Sequence, residues 1–159
     1  MGRAAERLRF SREDPAEVVE LMARLTAGRR GWANFEPEVP DDAEVPAPGL
    51  FGFFAARGPA VPLCTWVVET EKKGRRRPPS LGIQHATGTK AARRLADHGC
   101  PVPSGWRVTQ DHPRRGLVVE VIPEEEPGVI LAWLLDAGWV LCPAETTGWW
   151  NVVVHDDRA

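Results

Sequence analysis

A chain of 159 residues with a hydrophobic fraction of 43% is long enough to bury the core of a single domain. It has no apolar run of about 18 residues, so no membrane-spanning helix is expected, and residues 1–10 lack the apolar stretch of a secretory signal. Cys64, Cys100 and Cys142 are odd in number and widely spaced, which favours free thiols in the cytoplasm over a disulfide framework.

The net charge of −2 conceals a segregation of charge along the chain. Residues 57–115 carry a net charge of +8, whereas residues 1–56 carry −3 and residues 116–159 carry −7. A basic block between acidic flanks predicts a molecule with one cationic surface. The alternative is that the three blocks compensate each other across an ordinary solvated surface.

The first element predicted along the chain is an amphipathic helix. Asp14 can cap it, Pro15 suits its first turn, and Glu17 completes the pattern of a capping box. Gly28 is expected to end it. The buried face of this helix is expected to consist of four apolar residues at helical spacing, namely Val18, Leu21, Met22 and Leu25.

The composition changes after this helix. Residues 32–48 combine four prolines with five acidic residues, which predicts an arm or loop without a regular hydrogen-bond ladder. Residues 49–56 and 61–70 are rich in aromatic and β-branched side chains, which predicts a β-hairpin. The basic residues around Gly74 indicate either a solvated hairpin tip or a localisation or phosphate-contacting segment.

The signals of strands and helices alternate through the rest of the chain. Strands are predicted at residues 80–86, 106–111, 117–122, 139–142 and 149–154. Helices are predicted at residues 89–98, capped by Thr87 or Thr89 and ended by Gly99, and at residues 125–137, ended by Gly138. Five of the seven tryptophans follow apolar patterns and are expected in the core (Trp66, Trp106, Trp133, Trp139 and Trp149), whereas Trp32 and Trp150 are expected to be more exposed.

The order β-α-β-β-α-β is that of the ferredoxin-like split βαβ fold. Residues 80–155 are therefore expected to form a ferredoxin-like antiparallel sheet with both helices on one face. The N-terminal hairpin and the N-terminal amphipathic helix would extend this sheet. Residues 1–159 would then form a single α+β domain, with the arm at residues 32–48 as its irregular part.

This fold would gather a candidate anion site at one end of the sheet. The first strand ends where the first helix begins, and the turn between the next two strands lies at the same end. A helix start presents unpaired N–H groups and a partial positive charge, to which nearby cations would add. The predicted anion-binding residues are Thr87, Thr89, Lys90, Arg114 and Arg115. The simpler alternative is that residues 87–90 only cap the helix, because the frame of a P-loop is absent.

The same end holds the candidates for catalysis. His85 or His112 could act as a general base, and Asp111 could orient it. The alternatives are a hydrogen-bonded core histidine and an aspartate that accepts bonds from a turn. The histidines and cysteines lack paired metal-ligand spacing, so neither a metal nor another cofactor is expected. No hydrolase, zinc-protease or dinucleotide-binding motif occurs in the chain.

These observations favour a small cytoplasmic binding or regulatory protein over an enzyme. Its basic end would contact a protein or an anionic ligand of unknown identity. Nucleic acid is favoured less, because residues 117–122 lack the strand aromatics of the RNA-binding modules that share this element order. No membrane partner is expected. The alternative is a small enzyme that acts on a phosphorylated or carboxylated metabolite, with His85 or His112 as its base.

Overall fold

The computed structural model describes residues 5–42 and 58–156. Their elements follow in the order β1 (Glu6–Ser11), α1 (Ala16–Gly28), β2 (Trp32–Pro37), β3 (Leu63–Val67), β4 (Thr70–Lys72), β5 (Arg75–Arg77), β6 (Ser80–Gln84), α2 (Ala91–Asp97), β7 (Arg107–His112), β8 (Gly116–Glu120), α3 (Pro127–Val140) and β9 (Trp149–His155). The chain is therefore of the mixed α+β class. No helix within these described ranges is long and apolar enough to cross a membrane.

Seven of these strands form one sheet in the order β1-β9-β2-β3-β6-β8-β7. All six pairs of neighbouring strands in this sheet are antiparallel. Strands β4 and β5 form a separate two-stranded hairpin. That hairpin consists of the basic residues on either side of Gly74, so the prediction of a hairpin tip there is confirmed.

One face of the sheet carries the core. Phe35 lies opposite Cys64, Trp66 lies opposite Leu81, and Leu81 lies opposite Val119, and all five side chains are buried. Because side chains alternate between the faces of a strand, these residues form a continuous apolar layer across the sheet. The apolar faces of the helices belong to the same core cluster.

Three crossovers carry the helices over this layer. Helix α2 connects β6 to β7 around β8, and α1 connects β1 to β2 around β9. Helix α3 connects β8 to β9 in the reverse direction along the sheet. If all three crossovers have the usual right-handed sense, the three helices share one face, and α1 and α3 are indeed in contact.

The expected ferredoxin-like order holds only in part. Strands β6, β8 and β7 are arranged around α2 as expected, but β9 is separated from β6 by β2 and β3. The strand order therefore differs from that of a ferredoxin-like sheet. The inserted pair includes β2, which lies in the segment that was predicted to be an irregular arm.

The prediction of an arm is wrong for Trp32–Pro37, which forms a strand inside the sheet. Ala33 and Phe35 alternate with polar neighbours, and the prolines begin only at Pro37. The prolines and acidic residues dominate the composition of residues 32–48 and mask this short alternation. Strand β1 was missed for a similar reason, because Phe10 is its one fully buried residue. Residues 43–48 of the predicted arm and the predicted strand at residues 49–56 lie outside the described residues.

Helix α1 confirms the first predicted helix, with Val18, Leu21, Met22 and Leu25 all buried. Its predicted cap is wrong, because no side chain makes a capping hydrogen bond at its start. The backbone N–H of Asp14 instead donates to the Ser11 carbonyl at 3.1 Å, and this closes the turn that leads into the helix.

Helix α3 runs through Gly138, so its predicted end and the predicted strand at residues 139–142 are wrong. A Cβ atom at Gly138 would lie 2.7 Å from Trp150 Cη2 and 3.1 Å from Cys64 Sγ. The glycine therefore permits close packing of the helix on the sheet. Trp139 consequently lies in the last turn of α3 and is 60% exposed, whereas Trp150 is buried, which reverses both expectations.

Candidate functional site

The start of α2 is closed by a carboxylate of the chain itself. The backbone N–H groups of Ala91 and Ala92 donate to Asp111 Oδ1 and Oδ2, each at 3.0 Å. Lys90 occupies the N-cap position with a φ of 61°, and no threonine side chain caps the helix. The predicted cap by Thr87 or Thr89 is therefore wrong. Two of the donors that were expected to face an external anion already have an anionic acceptor.

His85 lies beneath this helix start and has no exposed surface. The backbone N–H of Thr87 donates to His85 Nδ1 at 3.2 Å, and Thr87 Oγ1 lies 2.7 Å from the same atom. Burial lowers the pKa of His85, nearby Asp111 raises it, and Arg94 lowers it. Because Nδ1 accepts a hydrogen bond, the neutral ring carries its proton on Nε2. No partner for this Nε2 atom occurs among the described residues.

His112 makes its hydrogen bonds within the turn between β7 and β8. Its Nδ1 atom accepts the backbone N–H groups of Arg114 and Arg115, each at 3.1 Å. Asp111 and His112 therefore bind two different backbone segments. Asp111 accepts backbone N–H groups, as the alternative to an orienting role predicted, but these belong to the start of α2 and not to a turn. The hydrogen bonds of Asp111 also hold the turn close to the start of α2.

Five cations lie within a few residues of this junction along the chain. Lys90, Arg93, Arg94, Arg114 and Arg115 are all exposed, and we call them the cationic corner. No ion pair joins any of the five to a carboxylate within the described parts of the chain. Six arginines elsewhere are paired, namely Arg9, Arg12, Arg24, Arg30, Arg76 and Arg107. The corner thus holds five of the cations that have no ion pair among the described residues. The others are Arg7, Arg29, Lys72, Lys73, Arg75 and Arg77.

The corner includes three residues of the predicted anion site and adds two. Lys90, Arg114 and Arg115 were predicted, whereas Arg93 and Arg94 were not. Their spacing of three and four residues from Lys90 would have placed all three on one helix face. Of the two predicted threonines, Thr87 is engaged with His85, and Thr89 is exposed beside Lys90.

The basic block of the sequence is divided between the two ends of the sheet. Hairpin β4–β5 follows the end of β3, which runs antiparallel to β6 and therefore points away from the corner. Lys72 and Arg75 lie directly opposite each other in this hairpin. Like charges at directly opposite positions destabilise a pair of strands. The expectation of a single cationic surface is therefore replaced by two separate cationic regions.

The described residues contain no group of three or more His, Cys, Asp or Glu side chains that could hold a metal ion. Cys64, Cys100 and Cys142 are free, and burial raises the pKa of the Cys100 thiol to about 11. A thiol with so high a pKa is a poor nucleophile or metal ligand at neutral pH. No family model, curated protein or solved structure matches this chain.

Proposed function

We propose that this protein is a non-enzymatic binding protein that recognises an anionic partner through the cationic corner. The observation that carries the proposal is the convergence of five exposed cations without an ion pair among the described residues. Like charges held close together repel each other, and a bound anion would offset that repulsion.

The engagement of Asp111 supports this assignment. Its carboxylate lies at the centre of the corner, but both oxygens accept backbone N–H groups of α2. The carboxylate therefore compensates the helix start and holds the two parts of the corner together. The cations at the rim are left to interact with solvent or with a partner.

The environment of the histidines supports binding over catalysis. A general base must come within hydrogen-bond reach of the proton it takes. His85 has no exposed surface, and His112 Nδ1 is occupied by two backbone donors. The metabolite enzyme with His85 or His112 as its base is therefore the weaker proposal.

The test is binding of three anionic probes at low salt: a short DNA duplex, a polyglutamate peptide and inorganic phosphate. The corner variant is Arg114→Ala with Arg115→Ala. The charge control is Arg7→Ala with Arg24→Ala, which removes two positive charges from exposed positions outside the corner and also breaks the Arg24–Glu6 ion pair. We expect the corner variant to lose affinity for at least one probe by about tenfold or more, equivalent to about 1.4 kcal/mol, and the control to bind nearly as the wild type does.

The salt dependence then identifies the class of partner. A duplex would give a slope of about −0.9 per phosphate neutralised in a plot of log affinity against log salt. A peptide or a phosphate ion would give a shallower slope. Absence of binding to all three probes, or an equal loss in the control, would overturn the proposal.

A further inference from the structure

A second site is indicated at the end of the sheet opposite to the cationic corner. Here the last turn of α1, the base of hairpin β4–β5 and the start of α3 surround a cleft of about 340 Å³. This volume is at the lower end of the range for pockets that bind small molecules. Trp66 of β3 is among the residues that line the cleft.

The indole of Trp66 carries a buried donor without an acceptor. Its side chain is 1% exposed, and Nε1 has no hydrogen-bond partner among the described residues. Two other buried indoles are satisfied, because Trp106 Nε1 donates to Glu125 Oε2 at 3.0 Å and Trp133 Nε1 donates to the Pro101 carbonyl at 2.9 Å. A buried N–H group without an acceptor destabilises the folded state, so a ligand oxygen that reached Nε1 from the cleft would stabilise it.

Two further features of the cleft favour an anionic oxygen. Arg29 lines the cleft and forms no ion pair within the described residues. The start of α3 is not among them, because the Glu125 carboxylate accepts the backbone N–H of Glu126 there at 3.3 Å. Arg76 also lines the cleft, at 3.6 Å from Glu69.

The acidic residues of the cleft limit what can bind. Glu125 is engaged, because it accepts Trp106 Nε1–H and the backbone N–H of Glu126. Glu124 also lines the cleft and is exposed. Its charge would repel an anion, so removal of this charge is a sensitive probe of the sign of the ligand.

We propose that this cleft binds the carboxylate or phosphate group of a small molecule, with Trp66 Nε1–H and Arg29 as its donors. The proposal goes beyond the cationic corner and does not depend on it, because no residue is shared between the two sites. The cleft would accept one small anionic group, whereas the corner presents an open surface to a larger partner.

The experiment follows the indole N–H signals of the 15N-labelled protein by NMR during titration with inorganic phosphate and, separately, with acetate. The Trp66 signal is assigned by its loss in Trp66→Phe. We expect a saturable shift of this signal with at least one of the two anions, and the anion that binds more tightly identifies the chemical group. We expect Arg29→Ala to weaken this binding by about tenfold, as for loss of a hydrogen bond to a charged group.

Two further variants sharpen the test and do not require Trp66 to be changed. Glu124→Gln should strengthen binding of the anion, because it removes the repelling charge. Arg7→Ala, an exposed arginine outside the cleft, should bind as the wild type does. An unmoved Trp66 signal with both anions, a weaker affinity in Glu124→Gln, or equal losses in Arg29→Ala and Arg7→Ala would overturn the proposal.

Discussion

The starts of α2 and α3 solve the same physical problem in different ways. Each helix start leaves backbone N–H groups without partners inside the helix. At α2 the carboxylate of Asp111, from a neighbouring strand, accepts two of them. At α3 the Glu125 carboxylate accepts only the N–H of Glu126, and the Trp66 Nε1 donor of the nearby cleft has no acceptor among the described residues.

This difference separates two kinds of candidate anion site. Around α2 the chain supplies its own anion, Asp111. An external partner could therefore bind only the unpaired cations of the cationic corner. Around α3 the chain also supplies a carboxylate, Glu125, but the Trp66 Nε1 donor of the nearby cleft has no acceptor among the described residues. A helix start alone therefore indicates no ligand site, because the chain brings a carboxylate to each of these two.

The largest expected effect comes from removal of the carboxylate at α2. Asp111→Ala leaves two backbone donors unpaired, so the free energy of unfolding should fall by about 2–3 kcal/mol. Chemical denaturation measures this loss. The control Asp97→Ala changes an exposed aspartate of the same helix and should change stability by less than about 0.5 kcal/mol. Equal stabilities of the two variants would show that Asp111 does not hold the helix start.

The second prediction compares two buried indoles. Trp133→Phe removes the bond to the Pro101 carbonyl, whereas Trp66→Phe removes a donor that has no partner in the described part of the chain. Both changes reduce the volume of a buried side chain, but only Trp133→Phe removes a hydrogen bond. Trp66→Phe should therefore be the less destabilising change by about 2 kcal/mol. A Trp66→Phe variant that is as unstable as Trp133→Phe would mean that the Trp66 N–H group has a partner in solution.

These contrasts also show what could be predicted from the sequence. The periodicity of residues 16–28 predicted α1, and the alternation of residues 80–86 and 106–111 predicted β6 and β7, because local patterns determine which face is buried. The position of β9 could not be predicted, since strand order depends on which edges meet in three dimensions. The gathering of His85, Asp111 and the start of α2 followed from the split βαβ unit alone.

The internal acceptor at α2 and the orphan donor of Trp66 could not be predicted. Both depend on the pairing of side chains across the fold, which sequence spacing does not reveal. Gly138 was misread for the same reason, because a glycine that ends a helix and one that permits close packing look alike in a sequence. Arg93 and Arg94 were accessible to prediction, because their spacing from Lys90 places all three on one face of the helix predicted at residues 89–98.

The third prediction tests the burial of His85 beneath the start of α2. Burial lowers its pKa in the folded protein, so the unfolded chain binds the proton more readily. Its contribution to stability is complete above about pH 6.5, the pKa of an unperturbed histidine, and is lost as the pH falls below that value. The slope should reach at most about 1.4 kcal/mol per pH unit.

Denaturation at several pH values between neutral and mildly acidic checks this dependence in His85→Asn and in the control His98→Gln. His98 is exposed, so its replacement should retain the wild-type slope, whereas His85→Asn should flatten it. Asp111 raises the pKa of His85, so Asp111→Ala should steepen the loss at low pH. An unchanged slope in His85→Asn would contradict the assignment of a buried neutral imidazole.

The smallest expected effect concerns Arg29 at the cleft beside α3. Arg29 follows α1 with a φ of 50°, a left-handed conformation that glycine adopts without strain and arginine does not. Arg29→Gly should therefore raise the free energy of unfolding by up to about 1 kcal/mol. If the cleft binds an anion, the same variant should also lose affinity for it, so stability and binding would change in opposite directions. Thermal denaturation with and without the anion measures both, and a variant that gains stability yet is stabilised by the anion as much as the wild type would remove Arg29 from the site.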